Sequence, residues 1–207
     1  PFLFRDFQHV DLVMDGPIGQ KLLDDFSKAN IKALAFWENG FRNLTNAKGP
    51  VKKVEDAKGL KIRTMENKVH LAAWKAAGLN PTPMTWGEVF TALQQRVIDG
   101  QENPIAVFYS CKLWDAGQKF FSLTQHVYSP SQLLMSPKAF NALPKADQQI
   151  CVKTALEVAK FQRKVNRDGE EAKLQEMAKK GVIITRDVDK ESFKKAMVPV
   201  YDEFKAQ

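Results

Sequence analysis

A chain of 207 residues is long enough to bury a sizeable core and fits one domain or two modest ones. With 44% hydrophobic and 27% charged residues the composition is that of an ordinary globular protein, which excludes an intrinsically disordered chain. The formal charge of +7 suits anionic partners of any size. However, the lysines are dispersed among Glu and Asp along predicted helices rather than clustered, so no nucleic-acid module is indicated.

Residues 7–29 read as helical, with Leu12, Ile18, Leu22, Leu23 and Phe26 on one apolar face, and Gly16-Pro17 divides them into two helices. Ile31 to Trp37 has the length of a buried strand, ended by Glu38-Asn39-Gly40. Arg42 then falls in a loop just past a strand, where an arginine either meets a ligand or pairs with water. Residues 43–53 form a polar connection, and Val54 to Lys58 one helical turn.

Next come three short extended pieces, Gly59–Arg63, Asn80–Met84 and Asp99–Pro104, separated by two amphipathic helices. Lys61 and Arg63 alternate with Leu60 and Ile62, the period of a half-buried strand. Asn67 can cap the first helix, which Gly78 stops. Thr85-Trp86-Gly87-Glu88 fits a capping box, so Glu88 reads as a helix-start device rather than a general base. Trp86, in the first turn, either faces a ligand above the sheet edge or closes the core. Such a βαβαβ unit gathers residues just past its strands at one edge of a parallel sheet, where ligands bind. Arg63 and Asn103 occupy those positions.

Residues 106–123 read as mixed helical, with Trp114, Phe120 and Phe121 as core, followed by an extended piece at Leu133–Met135. From Leu143 to Gly181 a helical pattern covers about 37 residues, on the order of 55 Å at ~1.5 Å per residue. Its apolar positions hold no heptad, so bridging two domains explains it better than a coiled coil, with Gly169 the site of any bend. Val182–Thr185 is a last strand, and Lys190–Phe204 a closing helix that Pro199 kinks. Cys111 and Cys151 sit among apolar neighbours and read as buried free thiols. His9, His70 and His126 show no metal-ligand spacing, so neither a metal nor a cofactor is expected. No apolar run approaches the ~18 residues of a membrane span.

Glu38-Asn39-Gly40-Phe41-Arg42, Asp56-Ala57-Lys58-Gly59-Leu60-Lys61-Ile62-Arg63, Asn80-Pro81-Thr82-Pro83-Met84 and Asp99-Gly100-Gln101-Glu102-Asn103-Pro104 occur in this order. The combination is highly specific. Together with Lys119-Phe120, Thr124-Gln125-His126 and the long helix, it resembles the DctP-like solute-binding proteins of TRAP (tripartite ATP-independent periplasmic) transporters over essentially the whole chain.

The resemblance implies a periplasmic binding protein-like α/β fold of two domains with a long helix spanning both. Residues 1–39 and 128–167 would form domain one, and 40–127 and 168–207 domain two, with the ligand cleft between them. Because the chain opens on Pro1, the first βα units of domain one and an export signal are expected ahead of it. Arg63 corresponds to the family's carboxylate-binding arginine, Asn103 to its asparagine, Arg42 to a second arginine of some sugar-acid binders, and Trp86 to an aromatic shelf. The implied function is periplasmic capture of a small organic acid, a sugar acid or dicarboxylate, for delivery to TRAP membrane subunits. No catalysis or metal is implied. Two alternatives share parts of the pattern: a ligand-sensing domain of another periplasmic-type binding protein, and an enzyme acting on an anionic substrate.

Overall fold

A computed structural model of the chain describes residues 1–205 and begins with two helices, α1 (Phe7–Met14) and α2 (Pro17–Asp25), parted at Gly16-Pro17. Asn30, in left-handed backbone, turns the chain into β1 (Lys32–Asn46). The βαβαβ run follows as β2 (Lys61–Thr64), α3 (Lys68–Ala76), β3 (Asn80–Pro83), α4 (Trp86–Gln94) and β4 (Gly100–Pro104). Asn67 caps α3 by accepting from the His70 amide, and Gly78 beyond its end has φ of 84°. Then come α5 (Ile105–Ser110), β5 (Phe120–Met135), α6 (Pro137–Asn141), α7 (Lys145–Asp168), α8 (Glu170–Lys179), β6 (Ile183–Thr185), α9 (Lys190–Met197) and α10 (Val200–Phe204). The long helical pattern is thus two helices meeting at Gly169, and Pro199 separates the last two.

Two stretches differ from the sequence expectation. β1 does not end at Glu38 but continues through Asn46, so Arg42 lies within a strand and not in a loop. The residues that resemble a loop, among them Glu38, Asn43, Thr45 and Asn46, are buried polar groups with side-chain partners. β5 likewise starts at Phe120 inside the segment read as helical, where Phe120 to Ser122 pair in parallel with Ile183 to Thr185. Cys111 and Cys151 are free thiols, and both are half-buried rather than buried.

The chain divides into two compact units: Phe41–Tyr128 with Pro1–Leu3 and the residues from Glu170 onward, and Phe4–Gly40 with Ser129–Gly169. The larger is built on a mixed sheet of order β3-β2-β4-β1-β5-β6. β2 pairs in parallel with both β3 and β4, and β4 pairs antiparallel with β1. Each face of this sheet has its own core. Ile62, Leu44, Trp74 of α3 and Phe193 of α9 pack on one side. Val89 and Leu93 of α4 pack with Phe108, Phe121 and Met177 on the other. Burying each such side chain contributes about 1.5–3 kcal/mol. Gly100 is required where β4 meets β1, because an added Cβ would lie 2.0 Å from the Thr45 carbonyl oxygen.

The smaller unit has a slighter core of Ala35, Ala155 and Ala159 with Leu34, Trp37 and Leu133. Ion pairs supplement it. Arg167 of α7 forks onto Asp11 at 2.8 and 2.9 Å and reaches Glu38 Oε2 at 2.7 Å. Its guanidinium also lies 4.3 Å from the Phe7 ring centroid. Arg163 forks onto Asp15.

Candidate functional site

The connection from β2 runs to β3 on one flank and returns from β3 to β4 on the other, so strand order reverses at β2 and β4. In open α/β sheets, ligands bind beyond the strand C-termini at such a reversal. Arg63 is the penultimate residue of β2 and Asn103 of β4. Register sets Arg63 beside Gln101 and Asn103 beside Asn43, which assigns these side chains to one sheet face. Glu102 pairs with Leu44 on the opposite face.

Arg63 is only 5% exposed. Its Nε donates to the Met84 carbonyl at 2.8 Å, its sole hydrogen bond among the described residues. Among the described residues no carboxylate lies within ion-pair distance of it, so both Nη groups are uncommitted. Burial lowers its pKa, a shift the nearby Glu102 opposes. An arginine stays charged regardless. The Trp86 ring centroid lies 5.4 Å from the Arg63 Cζ, and Trp86 is 40% exposed. Of the two roles open to this indole, closing the core does not fit that exposure.

Asn103 is fixed by a chain of neutral dipoles. Its Nδ2 donates to Gln101 Oε1 at 2.5 Å, Gln101 Nε2 donates to Thr45 Oγ1 at 2.9 Å, and Thr45 Oγ1 donates to Gln118 Oε1 at 2.8 Å. Asn103 retains its side-chain oxygen and one amide hydrogen.

Arg42 corrects the expectation of a free second cation. It is buried, and its fork is taken: Nε donates to Glu102 Oε2 at 2.5 Å, and Nη2 to Oε1 at 2.8 Å and the Glu102 carbonyl at 2.7 Å. Only Nη1 lacks a hydrogen bond. The alternation of β4 forces this arrangement by sending Glu102 to the face opposite Asn103, diagonally across from Arg42 on β1.

Glu102, His126 and Thr124 are the residues that sequence reasoning did not assign. His126 Nε2 donates to Glu102 Oε2 at 2.9 Å, while its Nδ1 accepts from Thr124 Oγ1 at 2.8 Å. The Leu44 amide donates to that same hydroxyl oxygen, and because the ionised Glu102 carboxylate can only accept, the proton of the neutral ring belongs on Nε2. Burial alone would raise the Glu102 pKa, but Arg42 and the hydrogen bonds from His126 and Arg42 outweigh it and hold the carboxyl at about 2. Burial lowers the His126 pKa despite Glu102, and lowers that of His70 at the start of α3 to about 4. Both imidazoles are therefore neutral at pH 7. The only signals in the sequence were the runs Thr124-Gln125-His126 and Gln101-Glu102-Asn103 within a resemblance, since the bond that joins them spans 24 residues.

A buried guanidinium with two free donors, beside an aromatic face and an oriented amide, is suited to a planar carboxylate. The Glu88 carboxylate accepts from the Thr85 hydroxyl at 2.7 Å at the start of α4. No group of three or more His, Cys, Asp or Glu among the described residues could hold a metal ion. No helix among the described residues is long and apolar enough to cross a membrane.

The family model DctP, described as bacterial extracellular solute-binding protein, family 7, matches residues 1–207. A solute-binding protein of Verminephrobacter eiseniae is 49% identical over 208 residues, covering 100% of this chain and 62% of its own. The 2,3-diketo-L-gulonate-binding periplasmic protein YiaO of Escherichia coli is 41% identical, over 95% of this chain and 60% of its own. A crystal structure of a TRAP periplasmic solute-binding protein from Polaromonas sp. JS666 bound to D-erythronate superposes with a TM-score of 0.96 at 47% identity. That match covers 100% of this chain and 68% of the other. The chain therefore spans about 60% of the length of the curated relatives it matches. These are transport binding proteins and not enzymes. The chain belongs to the DctP family of TRAP transporter solute-binding proteins.

Proposed function

We propose that this protein captures a small organic acid in the periplasm and delivers it to the membrane subunits of a TRAP transporter. Arg63 receives the ligand carboxylate through its two uncommitted terminal nitrogens. Asn103 adds its remaining amide hydrogen, Trp86 covers an apolar edge of the ligand, and Arg42 contributes Nη1 as one further donor. The observation that carries this reading is the buried, unpaired guanidinium of Arg63. An isolated buried charge costs several kcal/mol, and a bidentate carboxylate relieves that cost. The acids named for relatives, D-erythronate and 2,3-diketo-L-gulonate, support this substrate class.

Titration calorimetry with D-erythronate, D-galactonate and 2,3-diketo-L-gulonate tests it. We expect stoichiometric retention of at least one acid without turnover. Arg63→Gln should weaken that binding by about 2–5 kcal/mol, the cost of removing one half of a desolvated charge pair. Near-native affinity in this variant removes Arg63 from the site. Uptake of the retained acid by cells carrying the cognate permease, and its loss on deleting this protein, tests delivery.

A further inference from the structure

Resting on the assignment of Arg63 as carboxylate anchor, we infer that the site takes monoanionic hydroxy acids and rejects dicarboxylates, and that Glu102 sets this preference. The reason is a charge count at the ends of β2 and β4. Arg63 and Arg42 supply two positive charges, and Glu102, bound by both Nε and Nη2 of Arg42, supplies one negative. His126 adds none: burial lowers its pKa, and its two ring nitrogens face a hydroxyl that can donate, on Thr124, and a carboxylate that can only accept, on Glu102. His70, at the start of α3, is also neutral. The other acid acting on Arg63 is Glu66, which is exposed and screened by water and salt. Among the described residues one net positive charge is left, and it resides on Arg63.

A single carboxylate balances that charge. A second one would enter a desolvated site whose remaining cation, Arg42, already has its counter-ion. An unpaired carboxylate in such surroundings is strongly disfavoured, and specificity by an unpaired charge is a common device. The remaining neutral polar group, the Asn103 amide, suits hydroxyls instead. Glu102 needs no contact with the ligand for this role. It lies on the opposite sheet face from Arg63, between Gln101, the register partner of Arg63, and Asn103, and acts through its field. Glu102 is thus a specificity-determining neighbour of the binding groups.

Matched pairs isolate the charge, since D-erythronate and meso-tartrate, or D-galactonate and galactarate, share a skeleton and differ by one terminal carboxylate. In calorimetry at pH 7.5 and low salt we expect each monoanion to bind at least about tenfold more tightly than its dianion. In Glu102→Gln, checked for folding by circular dichroism, the gap should close or invert, because the site charge rises by one with little change in shape. Equal or tighter dianion binding by the unaltered protein overturns the inference, whether or not the variant folds. So does an unchanged ratio in a folded Glu102→Gln. Retained monoanion affinity in Arg63→Gln instead overturns the anchor itself, and failure of every acid to bind at millimolar concentration overturns both.

Discussion

The guanidinium carbon of Arg63 lies 5.4 Å from the centroid of the Trp86 ring, while its Nε is held by the carbonyl of Met84, two residues before that ring. One short connection between β3 and α4 therefore both aims the cation and stacks against it. A cation–π contact at a partly exposed site is worth about 0.5–1 kcal/mol, more when desolvated.

For Trp86→Ala we expect D-erythronate or D-galactonate binding to weaken by about 1 kcal/mol, a several-fold loss. The melting temperature should change little, because the indole is substantially exposed. Trp86→Phe should recover most of the affinity. Calorimetry and thermal melts on both variants check this, and unchanged affinity in Trp86→Ala leaves the ring with no part in binding.

Arg63→Met should abolish acid binding and yet leave the unliganded protein as stable as before, or more so. The unliganded state gains no ion pair from Arg63 and bears the desolvation of its charge, whereas methionine of similar length fills the space without one. Urea midpoints of the two proteins without ligand decide it. A clearly lower midpoint for the variant would mean that Arg63 has a structural role.

Acid should weaken the fold in two stages. Burial holds His70 at about 4 and also lowers His126, so the unfolded chain, with histidines near 6.5, takes up protons first. Their contribution to stability is complete above about 6.5 and is lost as pH falls through the folded values. Glu102, held at about 2 against an ordinary 4.5, adds a second loss as pH drops from 4.5 toward 2. Melting temperature against pH should therefore be highest near neutrality, and His70→Asn should flatten the decline between about 6.5 and 4 while leaving the lower stage. A parallel decline in that variant rejects the assignment to His70.

In the smaller unit, Arg167→Ala should lower stability by about 3 kcal/mol, since Glu38 loses its cation while remaining buried. Glu38 keeps Asn166, at 3.1 Å, which tempers the loss. Arg167→Lys should recover only part of it, because a single ammonium cannot fork onto Asp11 and reach Glu38 together. Urea denaturation of the three proteins gives the comparison, and equal midpoints for Arg167→Ala and the parent would reject the role.

The βαβαβ run was legible because its punctuation is local. Asn67 caps and Gly78 ends α3 within a few residues of where each acts. Arg63 and Asn103 follow from locating strand ends and Trp86 from the start of α4; the structure sets Arg63 against Trp86, and the register assigns Asn103 to the same sheet face as Arg63. The second half of β1 and the first half of β5 were illegible for the opposite reason. Glu38, Asn43, Thr45, Ser122, Thr124 and His126 look like loop residues until partners from distant strands are known. Thr124 bonds to the Leu44 amide 80 residues away, and His126 to Glu102 from another strand. The ion pair of Arg42 was not legible because its partner, Glu102, sits next to Asn103 in the chain but points to the other side of the sheet.

The bond from Arg63 Nε to the Met84 carbonyl has a stereochemical consequence. A guanidinium offers two edges for a paired contact, one between Nε and an Nη and one between the two terminal nitrogens. The first is blocked here, so an incoming acid must lie head-on and in the plane of the group, with one oxygen opposite each terminus. Flat –CO₂⁻ heads meet that demand, while tetrahedral sulfonates and phosphonates, whose oxygens splay out of plane, align less well however similar the rest of the molecule.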